Sequence, residues 1–532
     1  MQQNSTTIMR SWMLSALLIP VIANAQKEFP KVWEAKFSVD ANWKGFTDDL
    51  NYIIGGDLTQ IEVLDGNTGK SLWTYNFKER NGVKKCESWK VQDESGVVEV
   101  TVQGKEKDAP EETFHLDLGT GQPVGDSELT AREAKHKAPK PTKGMKRSVY
   151  QTSRMDEPTN TTLDLSYDAK KAMSAKGGTD LNINVEASGG NTWKTSFTGK
   201  VVRHLNNDML PADEGDVILG MTTGQGKVFV VYQGITCIEI ATGKLLWTST
   251  FDNVQTSIGL KVTQEIGRSA MPLVAADGVY ICDFSRDERT IKKLDLNTGA
   301  VIWSADKLKK DDIVSELIID AGNLVARFGG MIRVEQYIPG SGGNGDVYKV
   351  EYSFEGSTAL HAFDAATGKP VWNTEEIKLE DNFKKSECNI YSTPGRIYAC
   401  GEKNIYIFDA GTGKIIKQGE YNAKAIGAAQ LLYPYGDALM VEGKKGIAQL
   451  GAELDVKYAT NTGQCILTEE YGNSFIVWTG KKPDERNAFV RFDLATGMIL
   501  GSISDCPRPH FDPDGERFVR FDGQKAMMYR TN

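Results

Sequence analysis

A short phrase constrains this chain more than any other feature: an apolar residue, Asp or Glu, two residues, then Thr-Gly. It stands as "VLDGNTGKSLW" (63–73), "CIEIATGKLLW" (237–247), "KLDLNTGAVIW" (293–303) and "AFDAATGKPVW" (362–372). Weaker copies are "HLDLGTGQPV" (115–124), "IFDAGTGKII" (407–416) and "RFDLATGMIL" (491–500). The residues before the acid alternate as a strand does, and Thr-Gly closes a tight turn in which Gly takes a positive φ without a Cβ clash. The residues through Trp begin the next strand. The acid is placed to accept backbone N–H groups within the turn, as Asx turns do. Each copy therefore predicts a β-hairpin.

Two further short strands precede several copies, as in "VILGMTTGQGKVFVVYQGITCIEI" (217–240) and "PLVAADGVYICDFSRDERTIKKLDL" (272–296), separated by Gly-containing turns. The unit becomes four antiparallel strands, recurring at about 45 to 70 residues where copies are consecutive. Tandem four-stranded units predict an all-β fold, a β-propeller. Seven copies and a closing blade predict eight blades; Trp193 in "NTWKTSF" and the degenerate "YATNTGQCIL" (458–467) can each raise that count or belong to insertions. "KVWEAKF" (31–37) is the tail of a unit without its head. The C-terminal "CPRPHFDPDGERFVRFDGQKAMMYRTN" (506–532) supplies strands and stops before any such tail. A ring closed by strands from both termini reconciles the two, so Val32 to Phe37 is expected to pair near Ala526 to Tyr529.

The repeated Asp-x-x-Thr-Gly-x-x-x-Trp resembles the tryptophan-docking repeat of the PQQ-like β-propellers, over roughly residues 30–530 and best in "AFDAATGKPVW". That superfamily includes quinoprotein alcohol dehydrogenases and outer-membrane assembly factors of the BamB type. The resemblance implies blades locked by Trp rings on a neighbouring blade's turn. It speaks to fold far more than to function, because such scaffolds carry catalytic and non-catalytic members alike.

Residues 1–25 have a polar start ending in Arg10, an apolar run from Trp12 to Ile22 and then Ala23-Asn24-Ala25. That is the order of a secretory signal peptide, too short to span a bilayer. The expectation is an exported protein, periplasmic or alternatively secreted, with residues 26–532 a single propeller domain. No Cys near the cleavage site offers a lipid anchor, the first being Cys86, and no later stretch is apolar enough for a spanning helix. A net charge of −9 and a pI near 5.4 argue against nucleic acid as a partner. The seven Cys form no C-x-x-C pair, which speaks against zinc or thioredoxin chemistry. Cys388 and Cys400 flank a Pro-Gly turn and can be read as a cross-hairpin disulfide or as two buried thiols.

The rhythm breaks at about 126–182, read as an irregular insertion, with "AREAKHKAPKPTKGMKRSVY" (131–150) an exposed basic loop. "YIPGSGGNGDVYK" (337–349) is Gly-rich without a Gly-Lys-Ser/Thr phosphate cradle and reads as a loop. "FDPDGERF" (511–518) spaces Asp512, Asp514 and Glu516, but without the ligand series of a calcium loop it reads as a Pro-Asp-Gly turn. His115, His136, His204, His361 and His510 stand in no zinc-hydrolase context, and no Ser stands in a G-x-S-x-G nucleophile elbow. The quinoprotein enzymes carry a vicinal Cys-Cys pair, absent here, and their metal ligands match no motif of this chain. No catalytic, cofactor-binding or metal residue is assigned and no cofactor is expected. The leading reading is a non-catalytic scaffold in the bacterial cell envelope, binding a protein partner without entering the membrane, with outer-membrane protein assembly one concrete role. The alternatives are a PQQ-dependent dehydrogenase and a glycan-binding propeller, for which Trp43, Trp89 and Trp478 remain unassigned aromatics.

Overall fold

The computed structural model describes residues 28–79, 83–104, 111–135, 149–168, 180–200, 220–252, 254–257, 264–285, 288–309, 312–338, 347–480, 487–506 and 508–531. The proposed signal peptide and most of the basic loop, 136–148, lie outside them. The described residues form ten antiparallel sheets, nine of four strands and one of six. Numbered along the chain they are sheet 1 (43–76), sheet 2 (83–124), sheet 3 (149–200), sheet 4 (220–249), sheet 5 (273–304), sheet 6 (314–373, joined by strands from 254–268), sheet 7 (390–420), sheet 8 (429–461), sheet 9 (465–503) and sheet 10 (510–530 with Lys31–Lys36). The architecture is a β-propeller of stacked four-stranded blades.

Seven Thr-Gly copies and the closing sheet 10 give eight units; the two further sheets, 3 and 8, lack the phrase. Sheet 3 turns its last hairpin on Gly189 and Gly190, and sheet 8 turns between Leu450 and Val456. The Thr-Gly at 462–463 joins sheets 8 and 9 instead of closing a hairpin within one. The stretch read as an irregular insertion is likewise more ordered: Asp126–Lys135 is a helix, and Val149–Asp156 and Thr161–Asp168 are the first two strands of sheet 3. Its apolar residues alternate with polar ones, a pattern that a search for the Thr-Gly phrase passes over. Of the Gly-rich stretch at 337–349 only the flanks are described: Asn323–Ile338 and Val347–Asp364 are antiparallel strands with Ile338 opposite Val347, and 339–346 lie outside the described residues.

The terminal pairing is as the orphan tail requires. Lys31–Lys36 is antiparallel to Lys525–Arg530, with Lys31 opposite Tyr529 and Ala35 opposite Ala526. Glu34 lies 2.6 Å from both Lys31 and Lys525 across this pair. Phe29 extends the joint: its N–H donates to Ser502 O at 3.1 Å and its ring stacks on Phe489 of sheet 9, 5.4 Å between centroids. Sheet 10 is thereby built from both ends of the described chain.

Apolar clusters fill the spaces between sheets. One joins sheets 1 and 2, others join each successive pair from 3–4 through 9–10, and another returns from sheet 10 to sheet 1. The middle strands show why. Lys227–Tyr232, Gly278–Asp283 and Gly446–Leu450 are buried on both faces and read as continuous apolar runs, as strands packed on two sides must.

Candidate functional site

The Thr-Gly turns are sockets. In each of six copies an Asp side chain closes the turn; Asp295 Oδ1 accepts from the Thr298 N–H at 2.7 Å and its hydroxyl at 2.8 Å, and Asp65, Asp117, Asp364, Asp409 and Asp493 repeat the geometry. These hydrogen bonds favour the ionised form and hold the carboxyls of Asp295, Asp364 and Asp409 below the usual aspartate range. The Gly takes a positive φ, 68° at Gly299, and a Cβ built there would stand 2.6 Å from the ring of Trp247. Glycine is needed both for the backbone and for the neighbour's indole.

The indole belongs to the preceding sheet in the stack. Trp33 donates its Nε1–H to Gly66 O (2.9 Å), Trp73 to Leu118 O (2.8 Å), Trp193 to Ile240 O (2.6 Å), Trp247 to Leu296 O (3.1 Å), Trp303 to Ala365 O (3.0 Å) and Trp372 to Ala410 O (3.1 Å). Tyr458 substitutes at the joint between sheets 8 and 9, its hydroxyl donating to Leu494 O at 2.8 Å over Gly497. Sequence inspection finds the Trp residues but not this tyrosine, because sheet 8 has no Thr-Gly phrase to index it.

Docking turns the aromatic inward and leaves its neighbour on the strand outside. Val32, Leu72, Ile302 and Val371, each directly before a docked Trp, and Ile416 at the matching place of sheet 7, are exposed; Val301 beside Ile302 is 54 % exposed. All lie on strands that end their sheets in pairing order, so one side of each backbone has no strand partner within its sheet. Exposed apolar side chains on a held edge strand form a surface suited to contact or strand addition. This rim is the candidate site.

The remaining polar groups are dispersed. His361 lies 3.6 Å from Glu375 and against Phe328, and burial lowers its pKa; His510 packs 4.2 Å from Phe46, with the same effect; His115 lies 3.6 Å from Glu99. His136 and His204 lie outside the described residues. Among the described residues no group of three or more His, Cys, Asp and Glu is placed to hold a metal ion. Cys388 and Cys400 are both buried and unbonded, so the disulfide reading fails; they share one apolar cluster as thiols. Burial pushes the thiols of Cys86, Cys465 and Cys506 up to about 11 and those of Cys237 and Cys282 to about 12, the opposite of what a nucleophile needs. Asp512 holds its turn, accepting from Glu516 N–H and Arg517 N–H, as a Pro-Asp-Gly turn should. Trp43 and Trp89 meet between sheets 1 and 2, 6.5 Å apart and tilted by 53°, while Trp478 is buried between sheets 9 and 10, so the three share no platform. No described helix is long and apolar enough to cross a membrane.

A family model described as outer membrane protein assembly factor BamB matches residues 179–449, just over half of the chain. No curated protein matches. Among solved structures, BamB from Moraxella catarrhalis is similar at 13% identity over 72% of this chain and 97% of its own, with a TM-score of 0.34. A quinohemoprotein alcohol dehydrogenase from Comamonas testosteroni is similar at 12% identity, covering 84% of this chain and 80% of its own, with a TM-score of 0.31. A second such enzyme, from Pseudomonas putida HK5, is similar at 11% identity over 79% and 72% of the two chains, with a TM-score of 0.29.

Proposed function

This chain belongs to the family described as outer membrane protein assembly factor BamB, and from that premise we propose that it is a non-catalytic, exported scaffold. It acts in the cell envelope, in the periplasm, and binds a protein of the outer-membrane assembly machinery. The observation that carries the reading is the rim: apolar side chains held outward at Ile302 and Val371, on edge strands that indole docking fixes in place, and at Ile416 on the edge strand of sheet 7. A pre-organised edge loses little entropy on binding, which favours it as a platform. Residues 1–25, with the pattern of a signal peptide, support export.

A photocrosslinking residue placed at Ile302, Val371 or Ile416 in the living source cell tests this. The expected result is capture of an outer-membrane assembly component at one or more rim positions, and none at the exposed turn residue Asn297. Uniform labelling of rim and turn, or capture of no such component, overturns the proposal.

A further inference from the structure

We propose that a cavity between sheets 6 and 7 binds a neutral polyhydroxylated ligand, one ring of a saccharide, at a site independent of the rim. The chain leaves sheet 6 after Pro370–Asn373 and enters sheet 7 at Ile390–Thr393. The connector between them and the strand Val347–Asp364 enclose a cavity of about 220 Å³. Its walls are held in place by the protein itself. Thr374 Oγ1 accepts from Leu360 N–H at 2.9 Å, and Asn373 caps the short helical turn that follows, accepting from Glu376 N–H at 3.1 Å. The Asp381 carboxylate accepts from the Tyr406 hydroxyl at 2.7 Å and from the N–H groups of Lys403 and Asn404 at 2.7 and 2.9 Å. Thr358 and the buried Arg327 both donate to Ser386 O, at 2.8 and 3.0 Å. Walls fixed in this way lose little freedom when a ligand enters.

A second set of groups lines the same cavity and is exposed: Ser357, Glu375, Asn382 and Lys384. Glu375 has His361 at 3.6 Å. Burial lowers the His361 pKa, so the imidazole is neutral at pH 7 and leaves the Glu375 charge uncancelled. One carboxylate and one ammonium of opposite sign therefore line the space, beside a hydroxyl and an amide. A cation meets Lys384 and an anion meets Glu375, so an ion of either sign gains little. A neutral ligand rich in both donors and acceptors satisfies all four: the carboxylate accepts, the ammonium donates, and the Ser357 hydroxyl and Asn382 amide do both. Ile377 and Leu379 add an apolar wall. A sugar ring combines adjacent hydroxyls with a C–H face that packs on such a wall, the mix of few polar and some apolar contacts by which small ligands are oriented.

Methyl NMR on the intact mature chain tests this, with glucose, galactose, mannose and N-acetylglucosamine as probes. Acetate, methylguanidinium and N-acetylglycine methylamide stand for an anion, a cation and a peptide backbone. At least one sugar should shift the Ile377 and Leu379 methyls saturably, with Kd on the order of 1 mM and about tenfold tighter than any of the three controls. Glu375→Gln should weaken that sugar about tenfold, through loss of the charged acceptor. Ser357→Trp fills the cavity from an exposed position and should abolish the shifts, with the methyl spectrum away from sheets 6 and 7 unchanged. No saturable shift with any of the sugars, equal or tighter binding of a control, or sugar shifts that survive Ser357→Trp overturn the proposal.

Discussion

Each socket joins a carboxylate, a glycine and a neighbour's indole, and each makes a separate demand. Trp247 is 6 % exposed and spans the joint between sheets 4 and 5. Trp247→Ala should destabilise by about 3–5 kcal/mol, from lost burial and the cavity left behind, read by denaturant unfolding. Gly299→Ala should cost about 1–3 kcal/mol, because it forces a left-handed backbone and pushes on the same ring. The acid gives a pH signature. The Asp295, Asp364 and Asp409 carboxyls are lowered by their turn hydrogen bonds, so their contribution is complete above the ordinary aspartate value of 3.8 and is lost as pH falls below it. Asp295→Asn should therefore flatten the acid limb of a stability–pH profile and leave its alkaline side unchanged. The Trp and Gly of six sockets are legible in the sequence because the Gly recurs in the turn phrase and the Trp four residues after such a glycine or in the same Trp-Phe spacing. Tyr458 is not, since its role depends on Gly497 of another sheet arriving beneath it.

At the scale of the strand, the sequence separates two classes of element, one more clearly than the other. "KVFVVY" (227–232) is apolar on both faces and can only be a strand between two sheets. "DLNINVEASG" (180–189) alternates, a strand with one wet face, and its class was open to reading even though its sheet carries no Thr-Gly phrase. The difference predicts asymmetric tolerance. Val185→Ala, facing the cluster shared with sheet 4, should cost about 1–3 kcal/mol, whereas Asn184→Ala on the polar face should stay within about 0.5 kcal/mol, both measured by chemical denaturation. The two unmarked sheets explain why counting the phrase undercounts the sheets: sheets 3 and 8 are built by alternation and by burial, and their turns use other glycines.

Across the whole molecule, stability is passed from sheet to sheet through clusters and docked aromatics, and the terminal joint closes that series. Sheet 10 depends on Lys31–Lys36 for its outer strand, on Phe29 for its packing against sheet 9, and on Trp33 for its lock on sheet 1. The sequence made this joint readable because an orphan tail and a C-terminus that lacks its tail are complementary. The most direct test of this account is thermal unfolding of a chain lacking residues 28–39, compared with the intact mature chain. Loss of the edge strand, Phe29 and Trp33 should lower the transition by about 10 °C or more and broaden it, as sheets 9, 10 and 1 lose their shared packing. An unchanged, equally sharp transition would contradict closure by the N-terminal strand and the serial locking built on it.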